Sequence, residues 1–274
     1  PSMPEKIFDS RFTEPTDRLE AYADFVAVVK QLRRDCPWDR EQTHDSVKHL
    51  LIEEAYETVE AIDAQAWDEL KRELGDLLLH VVFHSVIAEQ DGRFTLKDVI
   101  EAETDKLVHR HPHVFGDVIV EGVEEVLTNW EQIKLKEGRK KSVLAGVPAQ
   151  LPALLWAFRA QEKVAGVGFD FPEREGAWAK VEEEIREYRE QITDGAPEEA
   201  REAEFGDLLF ALVNYARLAG VNPENALRRT NAKFKRRFHH IERRLAEQGH
   251  TPADVDLAEM DKYWDEAKLL DERL

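Results

Sequence analysis

Apolar residues return every three or four positions along most of the chain. Leu19, Tyr22, Phe25, Val26, Val29 and Leu32 form one such stripe, and Leu74, Leu77, Leu78, Val81 and Val82, with Ser85, lie along another. That spacing puts side chains on one face of a 3.6-residue helix, and no segment alternates with the period of two that a half-buried strand requires. Pro37 closes the first helix, Thr95 with Asp98 reads as a capping box, Asp91-Gly92 and Gly220 read as stops, and Asn222-Pro223 reads as an N-cap followed by an N1 proline. The pattern predicts an all-α fold of packed antiparallel helices joined by short loops.

The helical pattern occurs twice. Asp39 aligns with Asp170, Glu54 with Glu184, Glu57 with Glu187, Glu73 with Glu204, Asp76 with Asp207, Arg110 with Arg237 and Trp130 with Trp264, at offsets of 127 to 134. Drift of that size belongs in loops, so the chain is expected to hold two copies of one helical bundle, residues 16–137 and 149–270. The Gly- and Pro-containing stretch 138–148 would link them.

Composition narrows the function classes. The 274 residues are enough for a real core, and with 42% hydrophobic content the chain is not a disordered protein. The net charge of -19 argues against nucleic acid as a partner, because phosphate contacts need clustered Lys and Arg. No apolar run approaches the roughly 20 residues of a membrane span, and there is no signal-peptide pattern, so a cytoplasmic location is expected. The single cysteine, Cys36, fits a reducing compartment.

The candidate chemistry lies in carboxylates. Glu54 and Glu57 are three positions apart, as are Glu73 and Asp76, with fifteen residues separating Glu57 from Glu73. The second half repeats this with Glu184, Glu187, Glu204 and Asp207, sixteen residues separating Glu187 from Glu204. Residues three apart share a helix face, so two antiparallel helices would bring four carboxylates together in each half, beside leucine-rich sequence. Ionised carboxylates in such a setting must be neutralised by protons or cations, and an all-oxygen set without His or Cys favours Mg²⁺, with Mn²⁺ as a substitute. Gly75 and Gly206, between the Glu and Asp of each second pair, would admit a close approach of the neighbouring helix.

The paired ExxE and ExxD motifs, with Cys36-Pro37-Trp38-Asp39, Gly168-Phe169-Asp170 and His109-Arg110-His111-Pro112-His113-Val114-Phe115, resemble the MazG family of all-α NTP pyrophosphohydrolases over nearly the whole chain. The resemblance implies that the carboxylates hold Mg²⁺ against a triphosphate and that water attacks the α-phosphorus, giving NMP and pyrophosphate. It implies tandem domains and a homodimer. It also implies that Lys233, Arg237, Trp264 and Lys268 contact nucleotide, with Arg236 beside them and Trp264 near the base or ribose; the other reading of Trp264 is a core aromatic. Glu183 is a candidate general base, though adjacent helix residues point about 100° apart, which also permits a supporting role.

The second half has the fuller set. Lys180, one turn before Glu184, is matched by Leu50, Asn214 by Phe83 and Asn231 by Thr104. The first half keeps Glu53, Lys106, Arg110, Trp130 and Lys134 as equivalents and would bind metal, scaffold a dimer or prefer another nucleotide. The histidines His109, His111 and His113 surround a proline at a presumed helix end and suit loop ordering or a dimer contact. Trp38 and Phe169 suit core plugs or base contacts equally. Two rivals remain: a di-iron bundle, whose Glu-x-x-His motifs at Glu41/His44 and Glu247/His250 fall at helix ends, and a non-catalytic helical dimer scaffold. Within the enzyme class, the alternative to broad NTP and dNTP hydrolysis is a narrow dUTP- or dCTP-type pyrophosphatase.

Overall fold

The structure is a computed structural model and describes residues 15–271 apart from 124, 127, 128, 131, 132 and 134–141. Its chain divides into two compact units, residues 1–134 and 135–274. The first contains α1 (Thr16–Asp35), α2 (Pro37–Glu41), α3 (His44–Asp63), α4 (Trp67–Gln90), α5 (Leu96–Arg110) and α6 (Pro112–Phe115). The second contains α7 (Ala153–Ala165), α8 (Arg174–Thr193), α9 (Glu198–Leu218), α10 (Pro223–Ala246) and α11 (Leu257–Asp271). There is no strand among the described residues, and the all-α expectation holds.

Local chemistry sets the helix limits. Thr43 opens α3: its Oγ1 accepts from the Ser46 amide at 3.1 Å while Ser46 Oγ accepts from the Thr43 amide at 2.9 Å. Thr95 and Asp98 make the same reciprocal pair before α5, at 3.3 and 2.7 Å. Asn222 Oδ1 accepts from the Asn225 amide at 3.0 Å, with Pro223 at N1 of α10. Each such cap stabilises its helix by about 1 kcal/mol. After α4 and α9 the chain turns through Gly92 and Gly220, whose φ angles of 66° and 71° lie in the left-handed region that a side chain disfavours.

The core of the first unit is Val29, Val47, Val82, Phe83, Val86 and Ile87, where α1 and α3 pack on α4. Each such side chain contributes about 1.5–3 kcal/mol by burial. The two predicted stripes are only partly buried. Leu19 and Leu32 on α1, and Leu74, Leu78 and Val81 on α4, are exposed. Helix α4 is apolar on two sides, and the neighbours within its unit cover one. In the second unit α8 and α9 pair as α3 and α4 do, α7 lies against α9 and α10, and α11 packs on α10.

Trp38 and Phe169 are not core plugs; both are exposed, at 59% and 78%. One arginine in each unit holds its segment in place. Arg33 donates to the backbone carbonyls of Asp39 and Gln42 and to Gln90 Oε1, and its guanidinium lies 5.3 Å from the centre of the Phe83 ring. In the second unit Arg217 donates to the Asp170 carboxylate and to Asn214 Oδ1.

Candidate functional site

The antiparallel hairpin α3–α4 brings Glu54, Glu57 and Glu73 together, each with a carboxylate oxygen within 4.8 Å of the others. In the second unit α8–α9 does the same for Glu184, Glu187 and Glu204. Glu73 and Glu184 are buried, at 7% and 5% exposure. Burial pushes the Glu54 and Glu73 carboxyls above the ordinary carboxylate range, and their acidic neighbours add to it: Asp76, Glu57 and Glu53 for the first, Glu57, Glu69, Glu54 and Asp76 for the second. Glu187 is raised by burial and then by Glu184, with Lys180 acting in the opposite direction. Three carboxylates gathered this closely form a group that a cation would stabilise. The donor set is all oxygen, which suits a hard divalent ion.

Asp76 and Asp207, one turn further along, stand outside these three-oxygen groups. Asp76 is half-buried and Asp207 exposed. The glycines before them do not admit a neighbouring helix: a Cβ at Gly75 or Gly206 would meet nothing within 4 Å. The hairpin partner therefore does not explain them.

Lys180 reaches the second group from one turn below. Its ammonium lies 2.7 Å from Glu184 and 2.9 Å from Glu183, and these hydrogen bonds, Glu184 first, raise its pKa. The half-exposed Glu183 is thus tied to Lys180 at the rim of the group. The first unit has Leu50 in place of Lys180, and Glu53 there is exposed.

The other cations form a separate cluster on α10 and α11. Arg236 and Arg237 both donate to Asp271, at 2.8 and 2.7 Å, holding that carboxyl below the usual range. Arg237 also lies 5.5 Å from the centre of the Trp264 ring, whose centroid is 5.4 Å from Phe234. Trp264 is half-buried between them, while Lys233 is exposed and Lys268 pairs with Asp265 at 2.8 Å. Among the described residues, none of these cations bonds to Glu184, Glu187, Glu204 or Asp207. In the first unit Lys106 pairs with Glu103, Arg110 ends α5, and Trp130 meets the His111 ring edge-on at 4.9 Å. His111 caps α5 and joins its Nδ1 to the Leu107 carbonyl at 2.6 Å. Lys134 lies outside the described residues.

Comparison with known proteins matches residues 42–115 and 174–242 to the MazG nucleotide pyrophosphohydrolase domain. The chain belongs to the MazG family. The two matched stretches contain the two carboxylate groups, so this MazG protein is a tandem repeat of one all-α domain. It is 44% identical to the nucleoside triphosphate pyrophosphohydrolase/pyrophosphatase MazG of Thermotoga maritima, over 92% of this chain and 97% of that one. It is 43% identical to the nucleoside triphosphate pyrophosphohydrolase of Escherichia coli, over 89% and 96% of the two chains. A longer Bacillus subtilis protein, YabN, is 46% identical over 92% of this chain and 52% of its own length.

Sequence reading missed a histidine group in the first MazG repeat. His44 at the start of α3 and His84 on α4 stack with centroids 5.0 Å apart, and His80 is 6.1 Å from His84. The spacing of His80 and His84, one turn apart, was a visible signal; their meeting with His44, forty residues away, is tertiary.

Proposed function

We propose that this protein hydrolyses nucleoside triphosphates, ribo and deoxy, to nucleoside monophosphate and pyrophosphate, using Mg²⁺ or Mn²⁺. The observation that carries the reading is the duplicated three-carboxylate group, with one member buried in each copy. The names of the Thermotoga and Escherichia coli relatives, nucleoside triphosphate pyrophosphohydrolases both, support the substrate class.

Glu184, Glu187 and Glu204 would hold the ion in the second half, with Asp207 completing the set from the open side; Glu54, Glu57, Glu73 and Asp76 would do so in the first. When bound, the ion supplies charge neutralisation toward the phosphate oxygens and assists water as a nucleophile. Lys180 pairs with Glu184; with Glu184 turned to a cation, its ammonium would be available to a phosphate oxygen. Glu183, within reach of the same ammonium, would take the proton from the attacking water or hold Lys180 in place. A pH–rate profile of Glu183→Gln that keeps its acid limb would assign it the second role. Lys233, Arg236, Arg237 and Lys268 supply positive charge for the phosphates, and Trp264 a stacking face that accepts every base, which supports a broad substrate range. The wider set of cations makes the second half the main catalytic half. Glu204→Ala and Glu73→Ala compared for turnover test this: loss of at least about 100-fold for the first and less for the second is expected, and equal losses would remove the distinction.

We further read the protein as a cytoplasmic homodimer. Exposed apolar residues on the hairpins, among them Ile52, Tyr56, Leu74, Phe205 and Leu209, support the dimer. No helix among the described residues is long and apolar enough to cross a membrane.

A further inference from the structure

Beside the carboxylates of the first unit lies a cavity of about 600 Å³ lined by His44, Leu51, His80, His84, Phe94 and Val99. Leu51 is one turn before Glu54 on α3 and His80 one turn after Asp76 on α4, about 5–6 Å along each axis, so cavity and carboxylates share one hairpin. The nitrogen atoms Nδ1 of His44 and His84 are 2.8 Å apart, and the two rings are parallel to within 5°. At that separation one Nδ1 carries a proton and the other accepts it. In neutral imidazoles the opposite nitrogens take the complementary states. One ring then offers an Nε2–H donor and the other a bare Nε2 acceptor, and reversing both tautomers swaps the roles.

His80 adds a further polar atom. It is 8% exposed, and its Nδ1 is buried without a partner, an arrangement that a ligand would satisfy. Burial lowers the pKa of His80, against the pull of Asp76, and burial with His44 and His80 as neighbours lowers that of His84. Leu51, Val81, Phe94 and Val99 make the apolar walls, and Ser85 and the exposed Lys48–Asp45 ion pair complete the lining. A flat heterocycle with adjacent donors and acceptors matches these surroundings, whereas a phosphate group would find a single lysine, Lys48, already paired with Asp45.

We propose that this cavity takes the nucleobase of a nucleotide whose phosphates lie on the Glu54, Glu57 and Glu73 group, with the histidines bonding to the base edge. The proposal rests on the reading of the first half as a metal-dependent nucleotide site. The second unit does not repeat the cavity's chemistry. Arg174, Ala211 and Tyr215 stand at the positions matching His44, His80 and His84, and Trp178, in the place of Lys48, packs edge-on against Tyr215 at 4.9 Å. The two halves therefore select bases by different means, the first by hydrogen bonds and the second by stacking.

The test uses the full chain carrying Glu187→Gln and Glu204→Gln, which disable the second site. With Mg²⁺ present, calorimetry measures binding of α,β-methylene nucleoside triphosphates and of inorganic tripolyphosphate. His44→Phe with His84→Phe keeps the ring stack and is expected to weaken nucleotide binding at least about tenfold while leaving tripolyphosphate within about twofold. His80→Leu is expected to act likewise, and His80→Gln, which keeps a donor and an acceptor, to restore much of the affinity. Unchanged nucleotide binding, or equal weakening of both ligands, would overturn the base pocket while leaving the metal site standing. A background that binds neither ligand would overturn the first-half nucleotide reading and the pocket with it. Unaltered thermal midpoints of the variants separate lost recognition from lost fold.

Discussion

Lys180 and Glu184 are an ion pair standing where a metal ion and a phosphate would each claim one partner. Removing the lysine leaves Glu184, Glu187 and Glu204 more negative and deprives the substrate of a cation. Lys180→Met should therefore bind Mg²⁺ several-fold more tightly, by calorimetric titration, and lose about 100-fold in kcat/KM for NTP. An unaltered kcat/KM would show that Lys180 serves only to neutralise its glutamate partners. The acids themselves set a pH dependence. Glu54, Glu73 and Glu187 have raised pKa values, so they bind protons more readily folded than unfolded. The stability they contribute is present below their unfolded pKa values and drains away as pH rises through the folded ones. A cation offsets that loss, so the gain in thermal midpoint on adding millimolar Mg²⁺ should be larger near about pH 8 than near about pH 5. A gain independent of pH would contradict the account. Asp271, lowered by Arg237, has the opposite sign, and its contribution is lost as pH falls.

At the scale of elements, the hairpins α3–α4 and α8–α9 hold the carboxylates, and the arginine-anchored segments brace them. Arg33 makes hydrogen bonds to two backbone carbonyls and to Gln90 from a buried position. Arg33→Met should cost about 2–4 kcal/mol, read as a lowered urea midpoint, because the carbonyls it serves lose their partner. Much of this level was legible in the sequence. Thr95 with Asp98, Asn222 with Pro223, and Gly92 and Gly220 mark helix limits through chemistry that acts within a few residues. The Glu54/Glu57 and Glu184/Glu187 pairs were legible for the same reason, since helical spacing alone puts them on one face. What depends on the partner helix was not. Glycines 75 and 206 read as close-packing residues but face open space. Arg33, Arg217 and the stack of His44 on His84 join residues whose meeting no local period encodes.

Over the whole molecule, the two repeats share a scaffold but differ in charge and lining. Lys180 and the α10–α11 cations belong to one, the histidine cavity to the other. The exposed flanks of both hairpins predict that the 31.7 kDa chain runs at about twice that mass in light scattering, and that Ile52→Asp, at a 55% exposed position, shifts it toward monomer. A mass unaffected by that substitution would remove α3 from the interface. Hydrolysis at the α-phosphate under a divalent ion is the activity proposed for the protein. Its most direct test is incubation of the protein with each NTP and dNTP, with and without Mg²⁺, followed by ion-exchange resolution of the products. Nucleoside monophosphate with pyrophosphate, formed only with the metal, is the predicted result; nucleoside diphosphate with phosphate, or no turnover, would contradict it.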